Sequence, residues 1–169
     1  MIDIAMVYTI LTTLSLTVFA AYLIYALNKI GRVPSSFSAT YYLLGRTGML
    51  FTPVMFAMAL LILPGIIEVT PDNWRFVAFL CPAAIAFVGA APEFKITFAL
   101  KVHQTAALLA AVLGILWVLF LSGYWWTVIL SVIICCFLAH ETRTVDDCKV
   151  FWLEMMAFSS VYASLLLAL

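Results

Sequence analysis

Arg46, His103 and Glu154 each fall inside a long apolar stretch, where an ionisable side chain is costly and tends to mark a site. Their types suit one another. An imidazole takes or gives a proton near neutral pH, a carboxylate orients that imidazole or ligates a metal, and a guanidinium grips a phosphate or an oxyanion. With Ser38 as nucleophile, the set would serve a membrane-embedded hydrolase acting on a lipid or lipid-linked substrate. His103 would be its general base, Glu154 the orienting partner and Arg46 the anion clamp. Ser36, Tyr41, Tyr42, His140 and Glu93 are the polar groups expected around it. A second chemistry is a proton relay through His103 and Glu154 in a small transporter or channel. The reading placed ahead of both is a membrane protein of no assigned activity, such as a non-catalytic subunit, in which a buried Arg46–Glu154 pair with His103 beside it is only a brace. Metal binding is less well served. Zinc takes three or four His, Cys or carboxylate ligands, and here His103, His140, Glu154 and Glu93 lie on four separate segments with no H-E-x-x-H or H-x-x-E-H spacing. No motif names a cofactor, and Gly-rich phosphate loops are absent.

The elements that must position these groups are membrane spans. Of 169 residues, 67% are apolar and 9% charged, with a mean hydropathy of +1.20, whereas a soluble domain carries about 25% charged residues. The fold class expected is all-α, a single polytopic bundle over residues 1–169. A crossing takes about 20 apolar residues, and six segments qualify: residues 4–27, 43–67, 74–93, 97–121, 124–143 and 150–168. The first has no basic leader and no small-residue cleavage site, so it is expected to remain as a span. The fifth is the weakest. Its apolar run stops at Ala139, so a full crossing must continue through His140 and Glu141 toward Arg143, which would sink His140 into the rim of the membrane.

Charge sets the expected orientation. Eight basic residues balance eight acidic ones, which leaves no tail for nucleic acid and makes the lipid bilayer the partner. Lys29, Arg32, Arg46, Lys95, Lys101, Arg143 and Lys149 fall at one end of the spans and only Arg75 at the other. Basic residues near span ends stay in the cytoplasm, so both termini are predicted outside, in a bacterial inner membrane. Trp74, Tyr124, Trp125 and Trp126 would then mark the outer interface, and Tyr41, Tyr42 and Trp152 the inner one. The four cysteines (Cys81, Cys135, Cys136 and Cys148) form no CxxC pair and read as small packing residues.

Two further expectations concern packing. The turn at Ser122-Gly123 is short enough to fold spans four and five into a hairpin, and Ala106, Ala110 and Gly114, with Ala86 and Ala90 on span three, offer small-xxx-small faces for close approach. Pro53, Pro64 and Pro82 are expected to bend spans two and three. Lys101 can snorkel to the headgroups on its long stem. His103 and Glu154 have no such stem and should face the interior, and five of the six spans place an ionisable group in the same layer at the basic end.

Three stretches together, "SFSATYYLLGR" (36–46), "KVHQTAALLAAVLGILW" (101–117) and "VFWLEMMAFSSVYASLL" (150–166), resemble a group of small bacterial multi-pass membrane proteins. The shared pattern is S-x-S-A-x-Y-Y-x-x-x-R, then V-H, then F-W-x-E, and it extends loosely from residue 33 to the end. The resemblance puts the group's polar positions on Ser36, Ser38, Tyr41, Tyr42, Arg46, His103 and Glu154, and implies no particular activity. Leu43 replaces a usual threonine, and the loop 144–149 is less basic than the pattern implies. More distantly, the chain is similar to transmembrane hydrolases of the alkaline ceramidase and progestin/adiponectin receptor type, which combine a serine, an aspartate and three histidines around zinc. With two histidines here, that similarity is one of analogy.

Overall fold

A computed structural model describes residues 3–90, 97–144 and 146–169, with the side chains of α5 described from Lys101 onward. It is helical throughout, with no strand among the described residues. The helices are α1 (Ile4–Ile30), a single turn α2 (Thr40–Leu43), α3 (Phe51–Glu68), α4 (Arg75–Ala90), α5 (Thr97–Phe120), α6 (Trp126–Glu141) and α7 (Lys149–Ala168). Tight 3-10 turns at Gly45–Leu50 and Asp72–Trp74 lead into α3 and α4. By length and composition α1, Gly45–Glu68, Asp72–Ala90, α5 and α7 can each cross a membrane. The chain is thus a multi-pass membrane protein. Its outward faces carry Leu60, Phe87, Leu108, Phe120 and Ile133, all more than half exposed, an arrangement that fits lipid and not water.

Local chemistry fixes where the helices stop. Asp3 caps α1 by accepting from the Ala5 N–H at 3.1 Å, and Gly31, at φ 73°, ends it. At the end of α6, the Arg143 N–H returns to the His140 carbonyl and the Thr144 N–H to that of Ala139. This double closure normally places glycine at the left-handed position, which Arg143 fills here at φ 53°. The closure ends α6 at Glu141 instead of carrying it to Arg143. At 16 residues it spans about 24 Å, short of the roughly 30 Å hydrocarbon core. The helix does continue through His140 and Glu141, and both side chains stand out from the bundle, 84% and 60% exposed.

Packing is cyclic. α1 lies against α3, α3 against α4, α4 against α5, α5 against α7, and α7 returns to α1, a ring of five helices. α6 stands outside it, chiefly on α7. The expected close hairpin between the fourth and fifth segments is therefore a loose one. The small residues of α5 serve its other neighbours: the Cys81 thiol of α4 donates to the Ala110 carbonyl at 3.7 Å, and a Cβ on Gly114 would come 3.0 Å from Val161 of α7. Pro64 and Pro82 lie inside α3 and α4 as expected. Pro53 falls in the first turn of α3, where its missing N–H has no intrahelical acceptor in any case.

Candidate functional site

The ring borders a narrow cleft of about 40 Å³, part of it open to the surroundings. Met55 and Ile62 of α3, Ile85 and Val88 of α4, and Ala107, Ala110 and Ala111 of α5 make three apolar walls. α7 supplies the fourth, with Ala157, Phe158 and Val161 between two polar residues, Glu154 and Tyr162. Eight residues of α7 separate these two, a depth of about 12 Å. The alanines explain why space remains: three methyl groups stand where the other walls carry long side chains.

The loop 31–39 closes the end at Glu154. It runs along the first turns of α7 and is held every second residue. The Val33 carbonyl accepts from the Cys148 thiol at 3.4 Å, the Ser35 carbonyl from the Phe151 N–H at 3.1 Å, and the Phe37 N–H donates to Glu154 Oε2 at 2.6 Å. The middle bond satisfies an amide of the first helical turn, which has no partner within the helix. The Phe37 ring, 2% exposed, packs among Phe19, Tyr22, Phe51 and Phe158. Ser38 faces the cleft, with its hydroxyl 3.2 Å from that of Ser36. Ser36 in turn accepts from the Ala39 N–H at 3.1 Å, within the turn that leads into α2. Thr40 is taken up by Tyr22 at 2.8 Å and by the Phe37 carbonyl at 2.6 Å.

At the far end, Tyr162 lies 2.7 Å from Ser15 Oγ, which donates to the Met58 carbonyl at 3.0 Å, so the phenol donates to the serine. These hydroxyls tie α1, α3 and α7 at one level. Sequence reading had no means of singling out Tyr162. Its only signal was a tyrosine one helical face away from Glu154, eight residues on.

The other expected site residues do not converge. Arg46 is exposed, and among the described residues no ion pair joins it to Glu154, whose carboxylate instead takes the Phe37 amide. The reason is local: Gly45 at φ 58° and the 3-10 turn after it reset the azimuth of the chain before α3 begins. Gly48 inside that turn lies so close to the Tyr41 carbonyl that a Cβ would overlap it. Tyr41 and Tyr42 pack edge to face, Tyr41 half-buried and Tyr42 exposed. His103 is half-buried with Nδ1 3.2 Å from the Val88 carbonyl, near the last described turn of α4, and bonds to neither Ser38 nor Glu154. Lys101 is exposed. Glu93 and Lys95 lie outside the described residues. Among the described residues no three His, Cys, Asp or Glu side chains come together as metal ligands, and His140 is apart from His103 and Glu154. The brace of Arg46, His103 and Glu154 is accordingly not formed. What stands in its place is one carboxylate lining a largely apolar cleft, at the end covered by loop 31–39.

No family model, curated protein or solved structure matches this chain.

Proposed function

We propose that the protein binds an amphiphile inside the bilayer, its apolar body in the central cleft and its hydrogen-bond-donating or cationic head on Glu154. The observation that carries this reading is the division of labour at that carboxylate. One oxygen is held by the Phe37 amide, while the side chain also lines the cleft, leaving Oε1 without a protein partner among the described residues. A carboxylate lining an otherwise apolar space selects for an ammonium or a donor group, since either supplies the missing bond where water is scarce. We place the protein in a bacterial inner membrane with α6 as a sixth, short span and both termini outside, on the strength of the basic residues gathered at the Glu154 end. The head would then enter from the cytoplasmic leaflet.

The test is calorimetric titration of the purified protein in maltoside micelles with octylamine, octanol and octanoate. The amine is expected to bind at least tenfold tighter than the acid, Glu154→Gln to erase the difference, and Ala111→Phe, which fills the cleft, to abolish binding of all three. Equal binding of amine and acid, or an indifferent Ala111→Phe, would overturn the reading. A hydrolase is the second reading, favoured by Ser38 lining the same cleft as Glu154. It requires His103 to leave the Val88 carbonyl to act as base, and labelling of Ser38 by an alkyl fluorophosphonate tests it directly.

A further inference from the structure

The loop 31–39 has two sides. Phe37 and Ser38 face the central cleft, whereas Arg32, Val33, Pro34 and Ser35 line a second, open recess of about 370 Å³ between this loop and the one joining α6 to α7. The two share no lining residue, so the second does not depend on the reading of the first.

The second recess carries opposite charges that do not cancel each other. Arg32 and Asp147 both line it, and among the described residues no ion pair joins them. The neighbouring Asp146 is engaged by Lys149 at 3.5 Å, whereas Asp147 has no such cation among the described residues. Both charges bear on the Cys148 sulfur in the recess. Burial pushes that thiol up, Asp147 adds to the shift and Arg32 opposes it. Ser35 adds a hydroxyl, that of Thr144 being already bonded to Trp152 and Thr142, and the exposed Tyr42 and Leu43 make an apolar margin. A ligand complementary to this lining has an anion and a cation a short distance apart, hydrogen-bond donors on the cation, and an apolar tail. An anionic headgroup would satisfy Arg32 but bring its charge against Asp147. A quaternary ammonium has no N–H for the carboxylate and seeks several aromatic faces, where Tyr42 is the one aromatic ring in the lining.

We propose that the recess between loop 31–39 and the α6–α7 loop binds the headgroup of a phosphoethanolamine lipid, its phosphate on Arg32 and its ammonium on Asp147. Full-length protein in maltoside micelles, titrated with phosphatidylethanolamine, phosphatidylglycerol and phosphatidylcholine of matched acyl chains, reports the preference by native mass spectrometry. One exposed charge contact near a membrane surface corresponds to about fivefold in affinity. The ethanolamine lipid is therefore expected to bind about fivefold tighter than the other two. Asp147→Lys should invert the order to favour the glycerol lipid, and Arg32→Gln should weaken both. Both side chains are exposed, so neither change disturbs packing, and unchanged melting temperatures check this. Equal binding of the three lipids, or an order that survives Asp147→Lys, would overturn the proposal. Soluble phosphoethanolamine at the lipid's concentration is expected to displace none of it; full displacement would assign the recess to a soluble ligand and overturn the lipid assignment.

Discussion

The bond from the Phe37 amide to Glu154 joins loop to helix beside the cleft, and its removal has a calculable effect. Glu154→Leu preserves volume and deletes the acceptor, leaving a buried N–H that had been 2.6 Å from an oxygen without a partner. Such an orphan costs about 1–3 kcal/mol. Two other anchors, at Val33 and Ser35, hold the same loop, so the loss falls on local opening of residues 31–39 before it reaches the bundle. Each kcal/mol is about fivefold in an opening equilibrium, which gives an acceleration of about 5- to 150-fold in amide exchange across the loop. Glu154→Gln keeps a carbonyl oxygen in reach and forfeits only the charge assistance, roughly half the strength of the bond, so its acceleration should stay near fivefold or below. Glu154→Asp retracts the carboxylate by one methylene and should resemble leucine. Hydrogen exchange read by mass spectrometry in detergent, with amides of the α1 interior as reference, measures all three. Exchange in Glu154→Leu within twofold of the parent, or equal acceleration in Gln and Leu, would refute the claim that this bond holds the loop.

Other expectations follow from single positions and are read as thermal stability in detergent. Gly48→Ala drives a methyl into the Tyr41 carbonyl and should cost about 1–3 kcal/mol, whereas Gly123→Ala, at positive φ but facing open space, should cost only about 1–2 kcal/mol. Thr12 Oγ1 is buried without a hydrogen-bond partner, so Thr12→Val should be neutral or raise stability by about 1 kcal/mol. Ser15→Ala should lower stability by about 1–2 kcal/mol, and adding Tyr162→Phe should cost less than the sum of the two, because they share one bond. Arg143→Gly relieves the left-handed strain at the end of α6 and should raise stability by about 1 kcal/mol without lengthening the helix.

What the sequence discloses and what it withholds divide along depth and azimuth. Depth is a local property: the length of an apolar run and the place of the first charge fix how far along a helix a residue sits, and for this reason the helices fall within a few residues of the expected segments, save the second, which begins as a 3-10 turn and becomes α-helical only at Phe51. Azimuth is not local. It depends on every turn between a residue and the wall it faces. Glu154 is legible because a carboxylate without a long stem has one tolerable direction inside a membrane helix, and it does line the interior cleft. Arg46, expected at a similar depth, has a stem long enough for several directions, and it is exposed after the Gly45 backbone and the 3-10 turn. His103 meets its need differently again, through a carbonyl close to the end of α4, a partner that no spacing of polar side chains could reveal. The alanines of α5 carry the same lesson. Their four-residue spacing announces close packing, yet only the cyclic order of the helices shows that Gly114 meets α4 and α7 while Ala107 and Ala111 are left facing empty space. A small-residue stripe in a membrane helix thus has two physical outcomes, contact or cavity, and the polar group placed beside it decides which is useful. Here Glu154 stands on the empty side, and that pairing of missing volume with an available acceptor argues for a bound molecule over a brace.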